Sequence, residues 1–126
     1  MEENASLAGV PSRSTLSTCV VDVVTSTDVI SVSVAGELDM ADADQVGDVL
    51  INAADAGKPL VRLVLSDLRF ADSSAIKAIL IGARVAQDRG VRYELVNPRG
   101  LVKRLLEVTG LDSALNVVHE PQDDAA

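Results

Sequence analysis

Between residues 18 and 118 the apolar residues change their spacing several times, from every second position to every third and fourth and back. Successive side chains of a strand point to opposite faces, whereas a helix returns to one face about every 3.6 residues. Such switching specifies strands and helices in alternation. A chain of this kind folds as an α/β layer structure with a largely parallel sheet, and 126 residues suffice for one such domain.

Residues 18–24 are Val-rich and run into the polar turn Thr25-Ser26-Thr27-Asp28. Residues 29–35 then place Ile30, Val32 and Val34 on one face and Ser31 and Ser33 on the other, which predicts a hairpin. Asp42 with Gln45 three positions on reads as a capping box, opening a helix that buries Val46, Val49, Leu50, Ala53 and Ala54 and stops by Gly57. Residues 60–65 are almost continuously apolar, the pattern of a strand covered on both sides. Residues 66–71 connect it to a second helix, with Ile76, Ile79, Leu80 and Ala83 inward, that ends at Gly90. A strand over 91–96 follows. Asn97 as cap and Pro98 as first helical residue begin a third helix burying Leu101, Val102, Leu105 and Val108, and Gly110 closes it. A last strand covers 114–118. The expected order is ββαβαβαβ in a single domain at 18–118, with a mixed, mostly parallel sheet. Residues 1–17, rich in Ser, and the acidic tail 119–126 are expected to be flexible.

Composition narrows the function. With nineteen acidic against eleven basic residues the formal charge is −8, which opposes direct binding to a nucleic-acid backbone. The densest basic group, Arg99, Lys103 and Arg104, has the spacing of a solvated helix face. No apolar run reaches the roughly 18 residues of a membrane span, so no membrane insertion is expected. The single cysteine excludes an internal disulfide and a thiolate cluster, and suits a reducing, cytoplasmic setting.

Residues able to carry catalysis are scarce. His119, the only histidine, falls in the tail and reads as a solvated residue, not a general base. Cys19 sits in a Val-rich strand and reads as a small buried hydrophobe. Gly57-Lys58 lacks the upstream Gly and following hydroxyl of a phosphate loop. The acidic pairs Glu37/Asp39 and Asp42/Asp44 are explained by capping and first-turn charge more simply than by a metal. No cofactor is expected.

The stretch Asp67-Leu68-Arg69-Phe70-Ala71-Asp72-Ser73-Ser74-Ala75-Ile76 offers more. Asp72 or Ser73 serves as an ordinary N-cap. Ser74 adds a second hydroxyl in the first turn, at the carboxyl end of a central strand, where open α/β sheets present their sites. A phosphate there meets free N–H groups and the positive end of the helix dipole, so a charge switch at Ser74 is compatible with the fold.

With Gly36-Glu37-Leu38-Asp39, the Asp67–Ser74 stretch and Leu105-Leu106-Glu107-Val108-Thr109-Gly110-Leu111 in this order, residues 18–118 resemble the STAS family, the fold of bacterial anti-sigma factor antagonists. The resemblance implies a binding protein, not an enzyme. Ser74 would be phosphorylated by an anti-sigma factor that is a serine kinase of the histidine-kinase-like ATPase type. The unphosphorylated protein would capture that kinase and free a sigma factor, and a metal-dependent serine phosphatase would reset it. Asp39, Asp72, Ser73, Ala75 and Ile76 are the residues implied to support the phosphosite and partner contact. Ala75 departs from the family's usual Gly but leaves Ser74 in place, and Ala is the better helix former. Two other readings are a non-phosphorylated scaffold subunit of a sensory or lipid-transport assembly, and a small enzyme or nucleotide-binding protein. The last is disfavoured by the missing base–nucleophile pair and phosphate loop.

Overall fold

The alternating valines of the first hairpin form two antiparallel strands, β2 (Cys19–Thr25) and β3 (Val29–Leu38), joined through the predicted turn, where the Ser26 N–H donates to the Val29 carbonyl at 2.8 Å. The computed structural model describes residues 12–121. Within that span the remaining elements are β1 (Ser12–Thr15), α1 (Ala43–Ala54), β4 (Leu60–Val64), β5 (Leu68–Ala71), α2 (Ser73–Arg89), β6 (Arg92–Val96), α3 (Gly100–Thr109), α4 (Leu111–Ala114) and β7 (Asn116–Val118). The sheet runs β1-β2-β3-β4-β6-β7, with β5 pairing onto the end of β3. β1/β2 and β2/β3 are antiparallel; β3/β4, β3/β5, β4/β6 and β6/β7 are parallel. The fold is a single α/β domain with a mixed, mostly parallel sheet, as the alternation of periods requires.

β4 lies at the centre, and Val61, Leu63 and Leu65 are fully buried with Val32, Val34, Val46, Leu50 and Ile79. The core is thus aliphatic, joined by Tyr93, whose hydroxyl donates to the Ile79 carbonyl at 2.9 Å. α1 and α2 pack side by side through small residues. A Cβ at Gly82 would lie 2.7 Å from the Tyr93 hydroxyl and 2.8 Å from Leu50 Cβ, so only glycine fits there.

Several expectations need correction. Residues 12–15, assigned to a flexible 1–17 segment, form edge strand β1 against β2; residues 1–11 lie outside the described residues. The sequence Ser-Arg-Ser-Thr has no apolar alternation because all four residues are exposed, and the strand is held by its ladder and by Arg13 bonding to both Asp22 oxygens at 2.7 and 3.1 Å. The 66–71 connector contains β5, too short to show a period. α4 and a shorter β7 replace the start of the last predicted strand. Of the 119–126 tail, residues 119–121 are described, with Glu120 fastened to Asn97 and Arg62.

The buried faces of two helices are rotated from those expected. α2 buries Ala75, Ala78, Ile79, Gly82 and Ala86 and leaves Leu80 and Ile81 exposed, because close approach to α1 selects its stripe of small residues over its larger ones. α3 buries Val102 and Leu106 and leaves Leu101 and Val108 in solvent. Its N-cap is Arg99, not Asn97. Asn97 instead adopts a left-handed φ of 54° and accepts the Glu120 N–H.

Candidate functional site at the head of the second helix

β3 and β5 run parallel with Leu38 beside Ala71, so their carboxyl ends finish together. A register shift at Gly36 makes this possible: Gly36 has φ of 101°, and a Cβ there would meet the Thr18 carbonyl oxygen at 2.8 Å. The pairing brings the Asp39 turn and the Asp72 turn to one end of the sheet, where the Asp72 N–H donates to the Leu38 carbonyl at 3.3 Å.

Asp72 is the N-cap of α2. Its backbone is extended, and one carboxylate oxygen accepts the N–H groups of Ser74 at 2.9 Å and Ala75 at 3.2 Å. These bonds satisfy two of the donors that a helix leaves open at its start. Ser73 is exposed, Ser74 and Ile76 are half-buried, and Ala75 is fully buried. Ala75 therefore packs into the core, while Ser74 faces a groove of about 690 Å³ between α1 and α2.

Met40, Ile51 and Ile81 give that groove an apolar lining, and Asp44, Asp48 and Lys77 give it charge. Met40 is 79% exposed and Ile81 46%. The sequence patterns did not single out Met40, Ile51 or Ile81. The available signal was the excess of large apolar residues in α2, more than one buried face can take.

Asp39 closes the neighbouring turn. Its carbonyl accepts the Asp42 and Ala43 N–H groups at 3.1 and 3.0 Å, and its carboxylate accepts the Ala41 N–H at 3.0 Å. Asp39, Asp72, Ser73, Ser74, Ala75 and Ile76 thus belong to two adjacent turns and the helix start that follows. Asp39 holds the turn that carries Met40 and is not hydrogen-bonded to Ser74.

Asp42 does something different from its expected capping role. It occupies the N-cap position of α1 without a side-chain bond to that helix. Its fully buried carboxylate turns to the β1–β2 turn and accepts the N–H groups of Ser17 (3.0 Å), Thr18 (2.7 Å) and Cys19 (3.1 Å) and the Thr18 hydroxyl (3.0 Å). Burial by itself raises a carboxyl's pKa, but the donors on Thr18, Ser17 and Cys19 outweigh it and hold Asp42 at about 2. Capping and turn-clamping use the same residue type, and sequence spacing cannot distinguish them.

Cys19 is buried and free, and burial, with the Asp42 carboxylate next to it, pushes its thiol up to about 11. His119 is exposed. Gly57 sits at φ of 85° in the α1–β4 turn. Among the described residues no cluster of three or more His, Cys, Asp or Glu is placed to hold a metal, and no helix is long and apolar enough to cross a membrane.

Comparisons with known proteins agree with this architecture. The anti-sigma-B factor antagonist of Bacillus subtilis (strain 168) is 28% identical over 97 residues, 77% of this chain and 88% of that protein. The crystal structure of an anti-sigma factor antagonist from Mycobacterium paratuberculosis superposes with a TM-score of 0.73 at 25% identity, over 86% of this chain and 91% of that one. The anti-sigma factor antagonist SpoIIAA in its unphosphorylated form has the same fold, with a TM-score of 0.67 at 18% identity over 92% of each chain. The family model described as "Mlab, STAS domain" matches residues 21–119. With that match spanning most of the chain and the fold shared with its relatives, this protein belongs to the STAS domain family.

Proposed function

We propose that this protein is an anti-sigma factor antagonist acting in the cytoplasm. Unphosphorylated, it binds an anti-sigma factor serine kinase through the surface around Ser74 and so releases a sigma factor; phosphorylation of Ser74 turns it off, and a metal-dependent serine phosphatase restores it. It is a ligand and a substrate, not a catalyst. The observation that carries this reading is the placement of Ser74: capped by Asp72, half-buried, and lining an α1–α2 groove with apolar and charged walls. Relatedness to anti-sigma factor antagonists supports it. SpoIIAA, which shares the fold, has also been solved phosphorylated, with a TM-score of 0.62 to this chain at 18% identity. That is consistent with a phosphate leaving such a domain folded.

The second reading is a non-phosphorylated scaffold subunit of a sensory or lipid-transport assembly, a role with which membership of the STAS family by itself is equally compatible. Affinity purification from the native cell, with mass spectrometry of partners and phosphosite, separates the two. A co-purifying serine kinase that labels Ser74 with ATP supports the antagonist. Stable membership of a larger assembly with Ser74 unmodified, and no labelling by a co-purified kinase, supports the scaffold.

A further inference from the structure

α1 joins β3 to β4 and α2 joins β5 to β6, all of them parallel strands, so both helices return against the sheet and run parallel to each other. Their first turns line one groove, with Asp44 and Asp48 on the α1 wall and Ser74 and Lys77 on the α2 wall. α1 has 12 residues and α2 has 17, so α2 continues for about 7.5 Å beyond the end of α1. Arg84 is therefore level with the last turn of α1.

Asp44, Asp48, Lys77 and Arg84 are exposed, and among the described residues none of the four forms an ion pair or a side-chain hydrogen bond. Asp44 lies in the first turn of α1, where the helix dipole favours an anion, but Asp48 lies past it, at the i, i+4 spacing where like charges repel. Lys77, Ile81 and Arg84 follow one another at i, i+4 and i+7, a single stripe of α2. Asp88, next on that stripe, stands beyond the end of α1 and outside the length the two helices share. Between the charged walls Met40 and Ile81 are open to solvent and Ile51 is half-buried. An acidic wall, an apolar middle and a basic wall make a face that is complementary to itself.

We propose that two copies of this chain associate through this face, as a two-fold dimer whose axis runs parallel to the helices along the groove. Such an axis sets α1 of one copy against α2 of the other at the same height. Lys77 of each copy then meets Asp44 and Asp48 of the other, and Arg84 meets the last turn of α1, which has no basic residue of its own to offset the negative end of its dipole. Met40, Ile51 and Ile81 of both copies close over one another. A two-fold axis across the helices would oppose α1 to α1 and acid to acid, so charge selects the first arrangement. The shared face measures about 18 by 20 Å, below the roughly 800 Å² per partner of a standard interface. The dimer is accordingly weak and reversible. The charge of −8 on each copy opposes approach, but at physiological ionic strength salt screens it beyond about 8 Å, while the pairs act within the contact. Dimerisation covers Ser74, so only the monomer offers the groove to another protein. The inference is independent of the Ser74 reading.

Sedimentation equilibrium of the full chain at physiological salt, from micromolar to millimolar concentration, should show a monomer–dimer equilibrium. Amide signals that move with concentration should map to α1 and the first three turns of α2, and those of β1 and β2 should stay still. Asp44→Lys with Asp48→Lys makes both walls cationic, and Lys77→Glu with Arg84→Glu makes both anionic, so each variant alone should be monomeric. Mixed in equal amounts, the two should recover a dimer, because every pair is then restored with its sign exchanged. Adding Ile81→Glu to both should abolish that mixed dimer, with circular dichroism confirming that all variants are folded. A chain that stays monomeric throughout, concentration-dependent shifts confined to other elements, or a dimer indifferent to both charge reversals would overturn the proposal. So would folded variants that fail to pair when mixed, or a mixed dimer that survives Ile81→Glu, which would assign the association to net charge alone.

Discussion

The Asp72 carboxylate accepts the Ser74 N–H at 2.9 Å, so the residue that starts α2 also fixes the backbone of Ser74 where it lines the α1–α2 groove. Ser73, one position earlier, is exposed and is the first residue of the helix. Under the antagonist reading, phosphopeptide mapping after reaction with the co-purified kinase should find the label on Ser74. It should vanish in Ser74→Ala and persist in Ser73→Ala; label confined to Ser73 contradicts the assignment.

Replacing Asp72 tests the cap and the recognition separately. Asp72→Ala removes the acceptor shared by two first-turn N–H groups and should lower stability by about 1 kcal/mol in denaturant unfolding, whereas Asp72→Asn, itself a good cap, should lose less. If the charge also guides the kinase, folded Asp72→Asn is phosphorylated more slowly. Normal phosphorylation of that variant makes the aspartate purely structural.

Phosphorylation should act on binding and leave the fold intact. It adds about −1.5 to −2 charges beside Asp72 and at a groove that already holds Asp44 and Asp48. Burying that dianion in a partner contact without an arginine to receive it costs about 2 to 5 kcal/mol, roughly thirty-fold to several-thousand-fold in affinity. Calorimetric titration of the kinase with both forms measures it; equal affinities, with circular dichroism showing both folded, refute the switch. Ser74→Ala should bind constitutively.

Asp42 should be among the costliest single positions. Asp42→Ala strands the N–H groups of Ser17, Thr18 and Cys19 in the β1–β2 turn, while the Thr18 hydroxyl keeps the Glu37 carbonyl as acceptor; a loss of about 3 kcal/mol is expected by denaturant unfolding. Its folded pKa of about 2 lies below the ordinary 3.8. The stability it contributes is therefore complete above about pH 4 and lost as the pH falls through 2. Asp42→Asn should flatten that acid limb, and an unchanged limb would place the acid sensitivity elsewhere.

Gly82→Ala sets two effects against each other. Alanine favours a helix interior by about 1 kcal/mol over glycine, but its methyl collides with the Tyr93 hydroxyl and Leu50, and overpacking of this kind costs about 1 to 3 kcal/mol. Net destabilisation is expected. Adding Tyr93→Phe removes one collision, so the double variant should be more stable than the sum of the single effects.

The sequence by itself determined the alternation of strands and helices, the hairpin, the central position of β4, the aliphatic core and the helix start at Asp72. Each is written in residues close together in the chain, through a period, a turn or a cap, and local sterics and hydrogen bonding act at that range. Tertiary structure decided the rest. β1 has no apolar pattern and exists because β2 offers it an edge; β5 is a strand because β3 ends beside it. Asp42 carries a capping signature, yet its carboxylate serves a turn 23 to 25 residues earlier, because three successive N–H groups of that turn converge on it. Likewise, α2 presents Ala75, Ala78 and Gly82 to its neighbours and Ile81 to the groove beside Ser74. A hydrophobic period records which faces are apolar, but the distance between two packed helices decides which face is narrow enough to be the buried one.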